Sequence, residues 1–200
     1  MLAIKKDLNE QQWYVGRLSQ FFYKKSSVLV AVILTAISFG YLFLVMMGQA
    51  AGFELADSNI KSLGTSFGFD QTDVLVFLTE RSEAMINAYI DFNQIWDPVY
   101  GLTYGLMYVA WVSLLFKPFS QQAGILNLFP MAQVVFDWLE DYQLVVLANQ
   151  YLAEGMVSAL NAQLASVFSL TKWACSGLTF VVLLTGIVLL SARAIRHRMK

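Results

Sequence analysis

Four long stretches of the chain contain no charged residue. They run over residues 26–53, 98–116, 118–136 and 173–192. About 18 or more consecutive apolar residues are enough to cross a bilayer as a helix. Because only helices and closed barrels satisfy every backbone polar group in lipid, the pattern predicts an all-α four-helix transmembrane bundle. We place its spans at residues 26–48, 96–116, 125–149 and 168–192.

Two amphipathic segments accompany these spans. Residues 1–25 mix apolar side chains with Lys and Arg at helical spacing, which predicts an amphipathic helix on the cytoplasmic membrane surface. Residues 49–95 open with a loop rich in Gly, Ser, Asp and Thr and continue as an amphipathic helix capped by Asp70 or Thr72. We expect this helix to cap the outer, non-cytoplasmic end of the bundle, within a single membrane domain over residues 1–200.

The distribution of basic residues predicts the topology. Ten of the 13 Lys and Arg residues lie before the first span, after the second, or in the basic tail at 193–200. By the positive-inside rule, both termini are cytoplasmic, as in a multi-pass protein of the cell inner membrane. The first apolar run exceeds the 7–15 residues of a signal peptide and indicates a retained anchor. An even number of crossings favours a span at 125–149, although its carboxylates leave an interfacial or re-entrant segment as the alternative.

Composition excludes several classes of function. Hydrophobic residues make up 58% of the chain and charged residues 14%, and the net charge of -1 gives no basic field for nucleic acid. The single cysteine, Cys175, allows no intrachain disulfide or CxxC motif. The single histidine, His197, allows no bis-histidine haem site. We therefore expect no metal site and no cofactor, and any metal would depend on oxygen ligands.

Eight polar residues of the predicted spans are candidates for ligand binding. They are Asp97, Tyr100, Tyr104, Tyr108, Asp137, Glu140, Asp141 and Lys172. The first four recur every three or four residues, and the three acids of span three share one helical face. A rise of about 1.5 Å per residue puts Tyr104 level with Asp141, and Tyr108 level with Asp137. Lys172, near the outer end of span four, is the natural counter-charge for one of these carboxylates.

The carboxylates and tyrosines admit functional and structural interpretations. A coupled set of carboxylates can accept protons, bind a divalent cation through oxygen, or act as an acid/base pair on an amphiphile. The structural alternative is a hydrogen-bonded network with Lys172 that fixes the register of the helices. For Asp97 alone, an exposed position at a helix start is favoured, since acids stabilise helix N-termini.

These observations favour a binding or accessory role in the membrane. The chain would be a subunit or stabiliser of a larger complex, with a carboxylate- and tyrosine-lined cavity that opens outward. Its expected partners are the bilayer, other membrane proteins or a second copy of the chain, and a lipid or small amphiphile. The first alternative is an enzyme acting on a lipid or isoprenoid-like substrate, with Asp137, Glu140 or Asp141 as acid/base and Tyr104 as hydrogen-bond donor. The second is a proton-coupled or cation carrier.

One segment also carries a resemblance. Its residues are Asp97, Tyr100, Gly101, Asp137 and Glu140, with Asp141 following Glu140. Over residues 72–150 the chain resembles a group of small uncharacterised bacterial four-span membrane proteins, which have a D-x2-Y-G-like start of span two and a D-x2-E-N-like signature in span three. Here Asp141 stands in place of the asparagine. The resemblance implies the four-span architecture and brings no established activity.

Overall fold

The protein is helical throughout the part that the structure covers. The computed structural model describes residues 19–55 and 62–198. It is 86% helix and contains no strand in those residues, which confirms the all-α class. Three helices are long and apolar enough to cross a membrane, Val28–Ala50, Glu83–Phe116 and Ala159–Arg196. The fold is therefore that of a helical membrane protein.

Besides a short helical segment at residues 19–25, the described part of the chain forms five helices. They are α1 (Val28–Ala50), α2 (Gln71–Thr79), α3 (Glu83–Phe116), α4 (Leu128–Glu154) and α5 (Ala159–Arg198). A 3-10 turn at Leu63–Thr65 precedes α2, and a 3-10 helix at Gln121–Asn127 leads into α4. The helix α3 is central, since it packs against α1, α4 and α5, while α4 and α5 pair along most of their length.

The helix α4 differs from the three apolar helices. Its 27 residues give it a length of about 40 Å, which is enough to cross a bilayer. It carries Asp137, Glu140 and Asp141, and all three acids are buried among the other helices. Carboxylates in membrane helices are tolerated when they face the interior of a bundle.

The amphipathic segment that follows the first loop folds as two helices, where the sequence predicted one. Asp70 caps α2, and the Asp70 and Asp73 side chains each accept the other's backbone N–H at 2.9 Å. The chain turns after Thr79, and the Ser82 hydroxyl accepts the Met85 N–H at the start of α3. The second half of the predicted outer helix is therefore continuous with the predicted second span.

A π-helical turn at Phe92–Trp96 joins the two halves of α3. There the Asp97 N–H donates to the Phe92 carbonyl, five residues back in place of the usual four. Pro98 follows and has no N–H to donate. The change of hydrogen-bond pattern therefore lies next to a residue that cannot form the regular α-helical hydrogen bond. Asp97 consequently lies within a 34-residue helix and not at its exposed start.

Residues 53–55 and 62–82 form an end cap over one end of the helices. Its buried side chains, including Phe53, Phe77 and Leu78, pack on the adjoining ends of α3, α4 and α5. The buried residues of those helices include Tyr89, Leu144, Leu147 and Ala162. Arg81 is buried within it, donating from Nε to the Phe53 carbonyl at 2.8 Å and from Nη1 to the Phe77 carbonyl at 2.5 Å. Burial lowers the pKa of the Arg81 guanidinium, which still stays charged at neutral pH. The cap is thus fixed to the helices.

At the opposite end of the helices, side chains donate hydrogen bonds to main-chain carbonyls of other segments. Residues 19–25 are helical, and within them the Ser19 hydroxyl donates to the Gly124 carbonyl and the Tyr23 hydroxyl donates to the Ser120 carbonyl. Burial raises the pKa of Tyr23. The Lys117 ammonium donates to the Lys24 carbonyl at 2.9 Å and to the Ser26 carbonyl at 2.8 Å. The rest of the predicted N-terminal amphipathic helix lies outside the described residues.

Candidate functional site

A cavity of about 600 Å³ lies between α1, α3 and α5, next to the end cap. Its α1 wall is mainly apolar, with Phe39, Leu42, Met46, Met47 and Ala50 beside the polar Ser38. The other helices contribute a polar cluster, and apolar residues such as Phe92, Met107 and Trp173 lie beside it. The polar cluster consists of Asp97, Tyr100, Tyr104, Tyr108, Gln133, Asp137 and Lys172. Phe39 of α1 and Phe180 of α5 line the cavity, and each is 50% exposed.

Lys172 is the centre of a buried ion-pair network. Its ammonium lies 3.1 Å from Asp137 Oδ1 and also forms an ion pair with Glu140 Oε2. A third contact is a 2.9 Å hydrogen bond to the Gly64 carbonyl of the end cap. Asp137, Glu140 and Lys172 are 4%, 0% and 7% exposed, so water contributes little to their solvation. The structure thus gives Lys172 the role of counter-charge that the sequence predicted, for two carboxylates at once.

Tyr104 provides the second contact of Asp137. Its hydroxyl donates to Asp137 Oδ2 at 2.8 Å. The depth estimate had placed Tyr104 level with Asp141, so it was wrong by about one helical turn. Tyr100, Tyr104 and Tyr108 form a ladder along α3, with ring centroids 5.3 and 5.9 Å apart. Their rings line the cavity on the same side as the carboxylates.

Asp97 joins this cluster. One carboxylate oxygen from each of Asp97, Asp137 and Asp141 lies within 4.8 Å of the other two. Asp97 is half-buried and lines the cavity, whereas Asp141 is 2% exposed. The expectation that Asp97 is an exposed helix-start residue is therefore wrong, because α3 extends 14 residues before it. With Glu140, the cluster contains four carboxyl groups, and the ammonium of Lys172 pairs with two of them.

Two glycines of α3 bring it close to α4 at this level. A Cβ atom on Gly105 would lie 2.3 Å from Val134 Cγ2, and one on Gly101 would lie 3.0 Å from Asp137 Oδ2. Small residues at four-residue spacing allow such an approach between helices. The indole N–H of Trp138 donates to the Pro98 carbonyl at 3.0 Å across the same contact. This contact sets Asp137 beside Tyr104.

Gln133 is a cavity residue that the sequence analysis missed. It lies one turn before Asp137 on α4, it is 7% exposed, and its Oε1 has no hydrogen-bond partner among the described residues. The four-residue spacing from Asp137 places both side chains on one helical face, and this signal was available in the sequence. Asp141 Oδ2 is likewise buried without a partner in the described part of the chain.

The fold and the cavity define a helical membrane protein with a buried polar cluster. No protein-family model, characterised protein or solved structure matches the chain.

Proposed function

We propose that this chain is a four-span protein of the cell inner membrane with both termini in the cytoplasm. The end cap then lies outside. Support comes from the length of α4 and from the basic residues at the end opposite the cap. Arg193 of α5 donates to the Pro118 carbonyl at 2.6 Å, so the end of α5 lies beside the connection that carries Lys117. Positive charge gathered at one end is typical of a cytoplasmic face.

We further propose that the protein binds a lipid or lipid-like amphiphile in its cavity, in a binding or accessory role. The observation that carries this is the division of the cavity into a mainly apolar α1 wall and a cluster of carboxylates, tyrosines and Lys172 on the other helices. An acyl or isoprenoid chain would pack on Leu42 and Met46, and the head group would meet Asp97 and Tyr104. A volume of about 600 Å³ is typical of a small-molecule site.

The contacts of Asp137 favour binding over acid/base catalysis. Its Oδ1 is paired with Lys172 and its Oδ2 accepts the Tyr104 hydroxyl, so both oxygens are already engaged. A catalytic acid or base needs to reach the proton it transfers. In this proposal the chain holds an amphiphile in the bilayer, alone or as a subunit or stabiliser of a larger membrane complex.

Filling the cavity tests the binding role. Leu42→Trp adds an indole to the apolar wall and is expected to remove a copurifying amphiphile, while Leu44→Trp is its control because Leu44 is 85% exposed in the same turn of α1. The measurement is native mass spectrometry of each protein after gentle detergent or nanodisc purification, with the released molecule identified by fragmentation. Wild type and Leu44→Trp are expected to retain one discrete species.

Two outcomes contradict the binding role. In one, Leu42→Trp carries the same species as wild type, which means that the molecule lies elsewhere. In the other, wild type carries no specific small molecule and copurifies stoichiometrically with other polypeptides. The second outcome supports a subunit that binds no ligand in its cavity.

Single cysteines test the topology. In a Cys175→Ala background, the exposed positions Glu80, Lys25 and Arg196 are replaced by cysteine one at a time. With four spans, a membrane-impermeant maleimide labels Glu80→Cys in spheroplasts and labels Lys25→Cys and Arg196→Cys only after lysis. Labelling of Arg196→Cys in intact spheroplasts, with Lys25→Cys protected, would mean that α4 does not cross.

A further inference from the structure

The carboxylates of Asp97, Asp137 and Asp141 come together from two helices at the edge of the cavity. We propose that they form a binding site for a divalent cation, with a spacing suited to Ca²⁺. This inference goes beyond the proposed binding of an amphiphile and does not depend on it. It also narrows the sequence-based list of candidates to three oxygens that the structure brings together.

The spacing of the oxygens fits the coordination sphere of such an ion. All three lie within 4.8 Å of one another. Ca²⁺ holds oxygen ligands at about 2.3–2.6 Å, so two ligands on opposite sides are about 4.6–5.2 Å apart. Mg²⁺ holds them at about 2.0–2.1 Å, with a maximum separation of about 4.2 Å. Three oxygens that are all at the 4.8 Å limit have a common point about 2.8 Å from each, so Ca²⁺ needs only a small inward movement of the carboxylates and Mg²⁺ a larger one.

The charge balance of the cluster leaves room for a further cation. Lys172 pairs with Asp137 and Glu140, and among the described residues no Lys or Arg forms an ion pair with Asp97 or Asp141. In a water-poor site a carboxyl group is either neutral or paired with a cation, since unpaired burial of charge is very unfavourable. A divalent ion placed between Asp97, Asp137 and Asp141 would neutralise this side of the cluster.

Two unpartnered oxygens provide an independent indication. Asp141 Oδ2 and Gln133 Oε1 have no hydrogen-bond partner in the described part of the chain. Both residues are buried, with only 2% and 7% of their surface exposed. Buried acceptors are nearly always satisfied. Gln133 lines the cavity one turn from Asp137, and amide carbonyls and carboxylates are both ligands that Ca²⁺ accepts directly or through water.

The fold also provides an entry route and a rigid frame. Asp97 and Asp137 line the cavity, so an ion can reach them through its opening, with Asp141 behind them. The π-helical turn at Phe92–Trp96 sets the orientation of Asp97, and the close contact at Gly101 and Gly105 holds α3 against α4. Single π-helical turns are frequent at functional sites.

The test is cation binding by the full chain in detergent after treatment with a chelator. Ca²⁺, Mn²⁺ and Mg²⁺ are titrated separately, with isothermal calorimetry and the melting temperature Tm as readouts. We expect one Ca²⁺ per chain, a Tm that rises with its concentration, and weaker binding of Mg²⁺. Asp141→Asn keeps the shape of the side chain and is expected to weaken Ca²⁺ binding at least about tenfold. Asp91→Asn, an exposed acid of the same helix as Asp97, is the control and binds as wild type.

Two results would overturn the proposal. One is equal Ca²⁺ affinity in wild type and Asp141→Asn. The other is no binding of any of the three ions at millimolar concentration by folded wild type, in which case protons balance the carboxyl groups. Leu42→Trp separates this proposal from the amphiphile site, because it lies on the apolar wall and should lose the amphiphile while it keeps the cation.

Discussion

Lys172→Met is expected to destabilise the protein by about 3–5 kcal/mol, the largest effect of a single substitution in the site. The substitution leaves Asp137 and Glu140 buried without their ammonium partner and removes the hydrogen bond to the Gly64 carbonyl. Removing one partner of a buried ion pair is costly because the remaining charge keeps its desolvation penalty. For a chain of this size the change corresponds to a fall in Tm of about 6–20 °C in mild detergent, measured by intrinsic fluorescence.

A second substitution identifies the unpaired charge as the cause. Lys172→Met combined with Glu140→Gln is expected to recover part of the lost Tm, because one of the two stranded carboxylates becomes neutral. Lys25→Met removes an exposed lysine and should leave Tm within about 2 °C of wild type. A wild-type Tm for Lys172→Met alone would show that the network is not buried as described.

Helical periodicity was sufficient to predict part of the site. Asp137, Glu140 and Asp141 share one face of α4 at any tilt of the helix, because their spacing is three and four residues. Lys172, near the outer end of predicted span four, was expected as the counter-charge of one carboxylate, and it pairs with two of these acids. Whether these residues bind a ligand stays a prediction.

The sequence could not predict which residues of α3 meet those of α4. The depth estimate took the predicted span ends, Trp96 and Asn149, as lying at one level, whereas α3 begins at Glu83 and α4 ends at Glu154. Neither predicted span end is the end of a helix, and Tyr104 donates to Asp137 instead of lying level with Asp141. Hydropathy carries no signal for the π-helical turn either, because Phe92–Trp96 reads as an ordinary helical stretch.

The shape of the cavity could not be predicted from helical periodicity either. The helix α1 is apolar on all sides, and only 11% of its most apolar 18-residue stretch is buried. Its sequence therefore does not indicate which face packs on α3. The gap between α1 and α5 follows from the packing of both helices on α3, including the close contact of Gly186 in α5 with Leu115 in α3. An all-α fold follows from apolar length alone, whereas a cavity depends on contacts between distant segments.

The contact of α3 with α4 at Gly105 supports a second prediction of large effect. Gly105→Ala is expected to destabilise the protein by about 1–3 kcal/mol, with a fall in Tm of about 2–12 °C. The added Cβ would lie 2.3 Å from Val134 Cγ2, and a β-branched valine has little freedom to rotate away. The helices must then separate, which lengthens the hydrogen bond between Tyr104 and Asp137. Detergent Tm measures the loss, and hydrogen exchange of α3 and α4 localises it.

A double-mutant cycle shows whether steric overlap is the cause. Val134→Ala removes the clashing methyl groups, so Gly105→Ala is expected to cost at least about 1 kcal/mol less in the Val134→Ala background than in wild type. Gly177→Ala on α5 is the matched control, because a Cβ there meets no atom within 4 Å. Alanine has the higher helix propensity, so this control should be neutral or slightly stabilising. Additive effects of Gly105→Ala and Val134→Ala would contradict a direct contact, and the approach of α3 to α4 would then need another cause than the missing side chain at Gly105.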